Sequence, residues 1–177
     1  MKSPRSPTPA AASQVVSFPP IARPDARVLI LGSMPGAASL AAGQYYAHPR
    51  NAFWPIMGEL LGFDPAAPYA QRTQALGDAG IVLWDALRSC VRPGSLDAAI
   101  EQATMVGNDF SGLFARCPQI GHIYCNGAAA ERCFRRVVLP ALAGPALPLT
   151  RLPSTSPAHA GRSFAQKLAD WRVVVPR

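Results

Sequence analysis

The sequence runs to 177 residues, 49% of them apolar, enough for one α/β domain with a true core and too few for two. Only 15% of residues are charged, yet 17 Lys and Arg stand against 10 Asp and Glu, a net charge of +7. No apolar run nears the ~20 residues of a membrane span and no apolar leader opens the chain, so membrane insertion and export are set aside and a cytoplasmic protein is expected.

The basic side is almost all arginine, since only Lys2 and Lys167 are lysines. A guanidinium donates bidentately and is weakly hydrated, so this balance favours a polyanionic partner. The cysteines at 90, 117, 125 and 133 form no CxxC pair, and no histidine lies at zinc-finger spacing. Buried reduced thiols are expected, with no metal and no cofactor.

In chain order, residues 1–26 are rich in Pro, Ala and Ser and read as a flexible basic arm, with the folded domain spanning 27–177. RVLILG (27–32) is a continuous apolar run ending in glycine, the pattern of a buried parallel strand. A Gly/Pro loop, SMPGAASL, leads from it into a short helix. Residues 50–62 carry apolar side chains at helical spacing, with Pro55 tolerated in the first turn and Gly62 near the end. Residues 71–80 predict a helix and IVLWDAL (81–87) a second buried strand. Residues 108–116 predict a helix capped by Asn108 or Asp109. HIYCNG (122–127) is a third strand, 128–142 a helix, and 147–159 a fourth strand opening into a loop; SFAQKLADWRVVV closes with a helix at least to Trp171. Strand and helix alternate four times, which predicts an α/β three-layer αβα sandwich around a four-stranded parallel sheet. Ligands of such sheets bind beyond the carboxyl ends of the strands.

The chemistry-bearing residues follow those ends. Gly32, Ser33, Met34, Pro35 and Gly36 form a tight turn after the first strand, whose backbone amides can face an anion or a carbonyl; it is neither a GxGxxG nor a Walker loop. QYYAHPRNAFW (44–54) concentrates Tyr45, Tyr46, His48, Arg50, Asn51, Phe53 and Trp54. Flat rings to stack a heterocycle, with amide and guanidinium to bond its polar edge, make a base pocket. Asp85 and Asn126 end the second and third strands. Asp85 reads equally as a base contact or as a cap on a following helix, and Asn126 as a pocket residue or a turn. In LPSTSPAH (152–159), Pro153 stiffens a loop whose Ser154, Thr155 and Ser156 can donate to phosphates, with Arg151 before it and His159 at its end.

GSMPG-x-x-SL, YY-x-HPRN-x-FW, LWD-x-L-x-SC-x-R-x-GSLD, the NG after strand three and the LPSTSPAH loop, in this order across residues 27–170, resemble the hypoxanthine-DNA glycosylase branch of the uracil-DNA glycosylase superfamily. The resemblance implies base-excision repair without metal or cofactor. A deaminated base in DNA, most often hypoxanthine, is flipped out and its N-glycosidic bond hydrolysed, leaving an abasic site. The aspartate of the first loop in the best-known members falls at Met34 here, and their second-loop histidine at Leu152. The branch relies instead on the asparagine matching Asn51. The resemblance further implies that Phe53 stacks on the base over a buried Trp54, and that the 153–157 loop presses phosphates and wedges the duplex. Members with an iron–sulfur cluster carry cysteines near the N-terminus, whereas the first here is Cys90. A monomer is expected. Uracil or xanthine as the substrate, and a non-catalytic module that binds damaged DNA, remain open at this point.

Overall fold

The computed structural model describes residues 14–144 and 146–176. Its strands are β1 (Gln14–Val16), β2 (Val28–Gly32), β3 (Ile81–Asp85), β4 (Leu87–Val91), β5 (Val106–Gly107), β6 (His122–Asn126) and β7 (Leu149–Leu152). Its α-helices are α1 (Ala37–Ala42), α2 (Phe53–Leu61), α3 (Tyr69–Asp78), α4 (Phe110–Arg116), α5 (Ala128–Cys133) and α6 (Phe164–Trp171). The four expected strands form one parallel sheet in the order β3-β2-β6-β7, flanked by helices. Every residue of β2 and β3 is buried, which is why these segments read as unbroken apolar runs rather than alternating ones. Register pairs Gly32 with Asp85 and Asn126 with Leu152, so the strand ends carrying polar chemistry come level with one another. Helix α5 packs over β2, β6 and β7, and α3 lies against β3.

A second, antiparallel sheet of order β1-β4-β5 was not anticipated. The strand read through Leu87 stops at Asp85. The Ala86 and Leu87 amides turn back to the Gly32 and Ser33 carbonyls (2.8 and 3.2 Å), and β4 leaves in a new direction. Asn108 fastens this corner by donating to the Asp85 and Leu87 carbonyls at 2.8 and 3.0 Å.

Residues 14–26 are not a free arm. Strand β1 pairs with β4, and Ile21 exchanges two 3.0 Å backbone bonds with Leu83. The Phe18 carbonyl accepts from the Tyr45 hydroxyl and from the Trp84 indole. The segment has too little apolar surface to fold alone, but Val15, Phe18 and Ile21 find that surface on the rest of the domain. Residues 1–13 of the expected arm lie outside the described residues.

The long helix expected over 128–142 is α only to Cys133. It continues as a π turn over 134–138 and a 3₁₀ turn over 139–141. Pro140, with no N–H to donate, ends the regular ladder there. Asp109 caps α4 by accepting from the Gly112 amide at 2.9 Å. Ser163 and Gln166 close a capping box on α6, whose fully buried Trp171 donates to the Pro153 carbonyl and so ties the last helix to the loop after β7.

Candidate active site

The carboxyl ends of β2, β3 and β6 open into a cavity of about 290 Å³, at the lower end of the range for small-ligand pockets. Gly32, Ser33, Met34, Pro35 and Gly36 form one wall, Tyr46, His48 and Asn51 another, Asp85 and Asn126 rise from the strand ends, and Ser154, Thr155 and Ser156 close the far side. Gly32 is required by packing. A Cβ there would sit 2.2 Å from the Asp85 Oδ1 and 3.2 Å from the Tyr46 hydroxyl.

Within the 44–54 segment the side chains divide their labour. Trp54 is buried and donates to the Tyr45 carbonyl at 2.8 Å, and Arg72 lies over its ring at 4.6 Å. Phe53, the expected stacking ring, is fully buried and does not line the cavity. Tyr46 stacks on it at 4.2 Å and 26°, while Trp54 and Trp171 meet it edge-on. Tyr46, rather than Phe53, therefore presents its ring to the cavity, which Tyr45 also lines. Tyr46 is held there by a backbone φ of +53°, the sole non-glycine positive value among the described residues. Its hydroxyl is buried beside Asn126, and burial, with the nearby Asp85 charge, raises its pKa.

Asn51 faces the cavity, but with its amide end available. Its Oδ1 accepts from the Phe53 amide at 3.0 Å, a bond that also fixes which end of the side chain is oxygen. One lone pair of that carbonyl is thereby spent opening α2. His48 Nδ1 accepts from the Arg50 amide at 3.1 Å. The Arg50 side chain, expected at the base edge, is exposed and outside the cavity lining.

The loop after β7 is anchored rather than loose. Asn126 donates to the Thr155 hydroxyl (2.8 Å) and accepts from the Thr155 amide (2.9 Å), while the Thr155 carbonyl accepts from Ala52 (3.0 Å). Asn126 therefore does more than satisfy a turn. Thr155 is 1% exposed and its hydroxyl oxygen accepts from Asn126, which sets it back from the surface. Ser154 and Ser156 instead accept through their hydroxyl oxygens from the Ser156 and Ala158 amides (3.2 Å each), which leaves both hydroxyl protons free. Arg151, Pro153 and His159 sit beside a neighbouring depression, with Arg151 paired to Glu131 at 3.5 Å. Buried Lys167 donates to the His159 carbonyl at 2.9 Å.

Asp85 caps no helix. It is 3% exposed, and its Oδ2 has no partner among the described residues. Burial, with the nearby charge of Asp97, raises its pKa to about 8, so it holds its proton at neutrality. Three residues here escaped the sequence reading. Asp97 lines the cavity, accepting from the Ser33 hydroxyl at 2.8 Å and lying 3.8 Å from the buried Arg92 guanidinium. Arg92 also donates to the Pro35 carbonyl. Ser95 accepts from the Ala37 amide at 3.1 Å. The one signal for them was the R-x-GSLD run, whose polar density is high for a loop. The four cysteines are free and buried, and burial pushes Cys125 up to about 12 and Cys133 to about 11.

Comparisons with known proteins agree with this geometry. A hypoxanthine DNA glycosylase of Methanosarcina acetivorans is 33% identical over 159 residues, 89% of this chain and 95% of the relative. Another, of Methanosarcina barkeri, is 37% identical over 111 residues, 62% of this chain and 69% of the relative. A solution NMR structure from Methanosarcina acetivorans, provisionally described as a uracil DNA glycosylase, superposes with a TM-score of 0.74 at 31% identity, over 92% of this chain and 99% of that one. The family model for the uracil DNA glycosylase superfamily matches residues 19–175, and this chain belongs to that superfamily.

Proposed function

We propose that the protein is a DNA glycosylase that takes a deaminated base, chiefly hypoxanthine, into the cavity and hydrolyses its N-glycosidic bond, leaving an abasic site. The observation that carries this reading is the convergence of Tyr46, Asn51, Asp85 and Asn126, from three separate segments, on one cavity at the carboxyl ends of the sheet. Tyr46 offers the ring face on which an extruded base stacks. Asp85, protonated at neutral pH, offers an O–H donor and a C=O acceptor side by side, which matches the C=O and N–H of a lactam edge such as that of hypoxanthine. Asn51 donates through Nδ2. Cleavage of such a bond separates charge between an oxocarbenium-like sugar and the departing base, so placed donors lower the barrier.

The free hydroxyl protons of Ser154 and Ser156 suit phosphate oxygens, with Arg151 and His159 further along the backbone path. Lys167 is engaged with His159 and lies outside the cavity lining, which favours hydrolysis over a Schiff-base lyase step. Action as a monomer in the cytoplasm completes the reading; none of the described helices is long and apolar enough to cross a membrane.

The test is a panel of duplexes holding single deoxyinosine, deoxyuridine or deoxyxanthosine. Hypoxanthine should be released fastest, and binding should weaken steeply with salt as phosphate counterions are released. Faster release of uracil would replace the substrate. Tight binding with no abasic product at enzyme excess would replace catalysis with recognition.

A further inference from the structure

Resting on that reading, the geometry points to Asp97 as a second catalytic residue, the carboxylate that holds the attacking water and takes its proton as the bond to the sugar forms. Four observations carry it. First, among the residues that line the cavity only Asp85 and Asp97 carry carboxyl groups, and the Asn51 carbonyl already spends one lone pair on the Phe53 amide.

Second, Asp97 is built in rather than adventitious. Its loop is stitched to the first loop at three points: Ser33 donates to Asp97, Arg92 donates to the Pro35 carbonyl, and the Ala37 amide donates to Ser95. The carboxylate is thereby held against the cavity wall while its side chain keeps 35% of its surface open. Third, the cavity contains a fully enclosed carboxyl oxygen, Oδ2 of Asp85, with no partner among the described residues. A polar guest completes such a site, since unpaired buried polar atoms are costly.

Fourth, the two carboxyl groups are set apart in charge. Burial raises both carboxyls, but Asp97, with 35% of its side chain open, is drawn back by the Ser33 hydroxyl and the cations of Arg92 and Arg132, whereas Asp85, almost wholly enclosed and next to the Asp97 charge, has only Arg92 against the rise to about 8. The groups that sense Asp97 from neighbouring elements are Asp85, Tyr46, Cys90, Arg92, Arg132 and Cys133. A pair of acids whose surroundings differ in this way divides into one protonated and one ionised partner.

The step balances with water alone. The water oxygen bonds to the deoxyribose C1′, and the C1′–N bond breaks with its electron pair leaving on the base. One water proton passes to the Asp97 carboxylate and on to solvent, and the departing base takes up a proton from solvent.

The experiment measures single-turnover release of hypoxanthine from a deoxyinosine duplex for the parent, Asp97→Asn, Ser33→Ala and Asn51→Ala, with duplex affinity and melting temperature for each. Asp97→Asn keeps an oxygen for Ser33 but loses the charge. Its rate should fall ~10²–10³-fold, within the range of general-base contributions, with affinity unchanged within about twofold. The parent rate should climb with pH through a carboxyl ionisation, and that limb should vanish in Asp97→Asn. Ser33→Ala, which keeps the charge and frees the clamp, should move the limb to higher pH, because the Ser33 bond favours the ionised form. This variant decides the matter if Asp97→Asn does not fold. Parent-like rate and pH profile in Asp97→Asn or Ser33→Ala, or a rate loss matched by lost affinity or melting temperature, overturns the inference. If Asn51→Ala is then inactive, the reading of the site stands without Asp97. If the parent releases no base from any duplex of the panel, both fall together.

Discussion

Replacing Asp85 with asparagine should make the protein more stable and less active, and the gain should depend on pH. The folded state keeps the Asp85 proton until about pH 8, while an unfolded chain releases it near 3.8. Between those values the folded state binds more protons than the unfolded one, so this group's contribution to stability falls as pH rises through the window, and is level below and above it. A displacement of roughly four units at 1.36 kcal/mol each sets a ceiling of about 5–6 kcal/mol. Water reaching the cavity side of the carboxyl screens part of this, leaving about 2–3 kcal/mol at pH 8 and almost nothing near pH 4. For a domain of this size that corresponds to a melting temperature higher by about 5–10 °C at pH 8. Thermal unfolding of parent and Asp85→Asn at pH 4 and pH 8 is the assay. Any fixed packing effect of the amide shifts both measurements alike, so the difference between the two pH values isolates the ionisation. An equal difference at both, of either sign, would refute the argument that Asp85 is held protonated by burial.

Asn51→Ala should cut base release by ~10²–10³-fold, the usual cost of one well-placed donor, while duplex affinity measured by fluorescence anisotropy stays near that of the parent; parent-like turnover would remove Asn51 from the mechanism. It should also cost about 1 kcal/mol of stability in a denaturant titration, through the lost bond that opens α2. Phe53→Ala empties a fully buried site and should cost about 3–5 kcal/mol, with activity falling because the protein unfolds; full stability with selective loss of turnover would return Phe53 to the base. Gly32→Ala drives a methyl group into Asp85 and should destabilise by about 1–3 kcal/mol and abolish turnover, which calorimetry and the deoxyinosine assay can check together.

The heart of the parallel sheet was legible because burial on both faces writes β2 and β3 as short, largely apolar runs that stop at Gly32 and Asp85, while β7, with Thr150 and exposed Arg151, lies at the sheet edge. Asn51, Asp85 and Asn126 were legible as companions because all follow strand ends or lie in one dense motif, and the geometry brings them to a single cavity. Which of several adjacent aromatics would face that cavity was not legible. Tyr46 is turned by a positive backbone φ that nothing in its side chain announces, while Phe53 opens α2 and is fully buried. Arg92 and Asp97 stayed hidden because their positions depend on β4, a strand half buried, interrupted by exposed Arg88, and paired partly with residues read as an arm. Residues 14–26 illustrate the general limit. Composition says whether a segment folds alone, and only the rest of the chain says whether it needs to.

The bonds around Thr155 bear on how the molecule comes into being. That residue joins Ala52 to Asn126, so the chamber is sealed by a piece of chain near the C-terminal end. A nascent polypeptide halted just before that loop would own all four central strands and nearly all the groups that meet a base, yet have no closed space in which to hold one. Competence therefore waits on the loop after β7, and copies halted before it lack the enclosure needed to grip the genome.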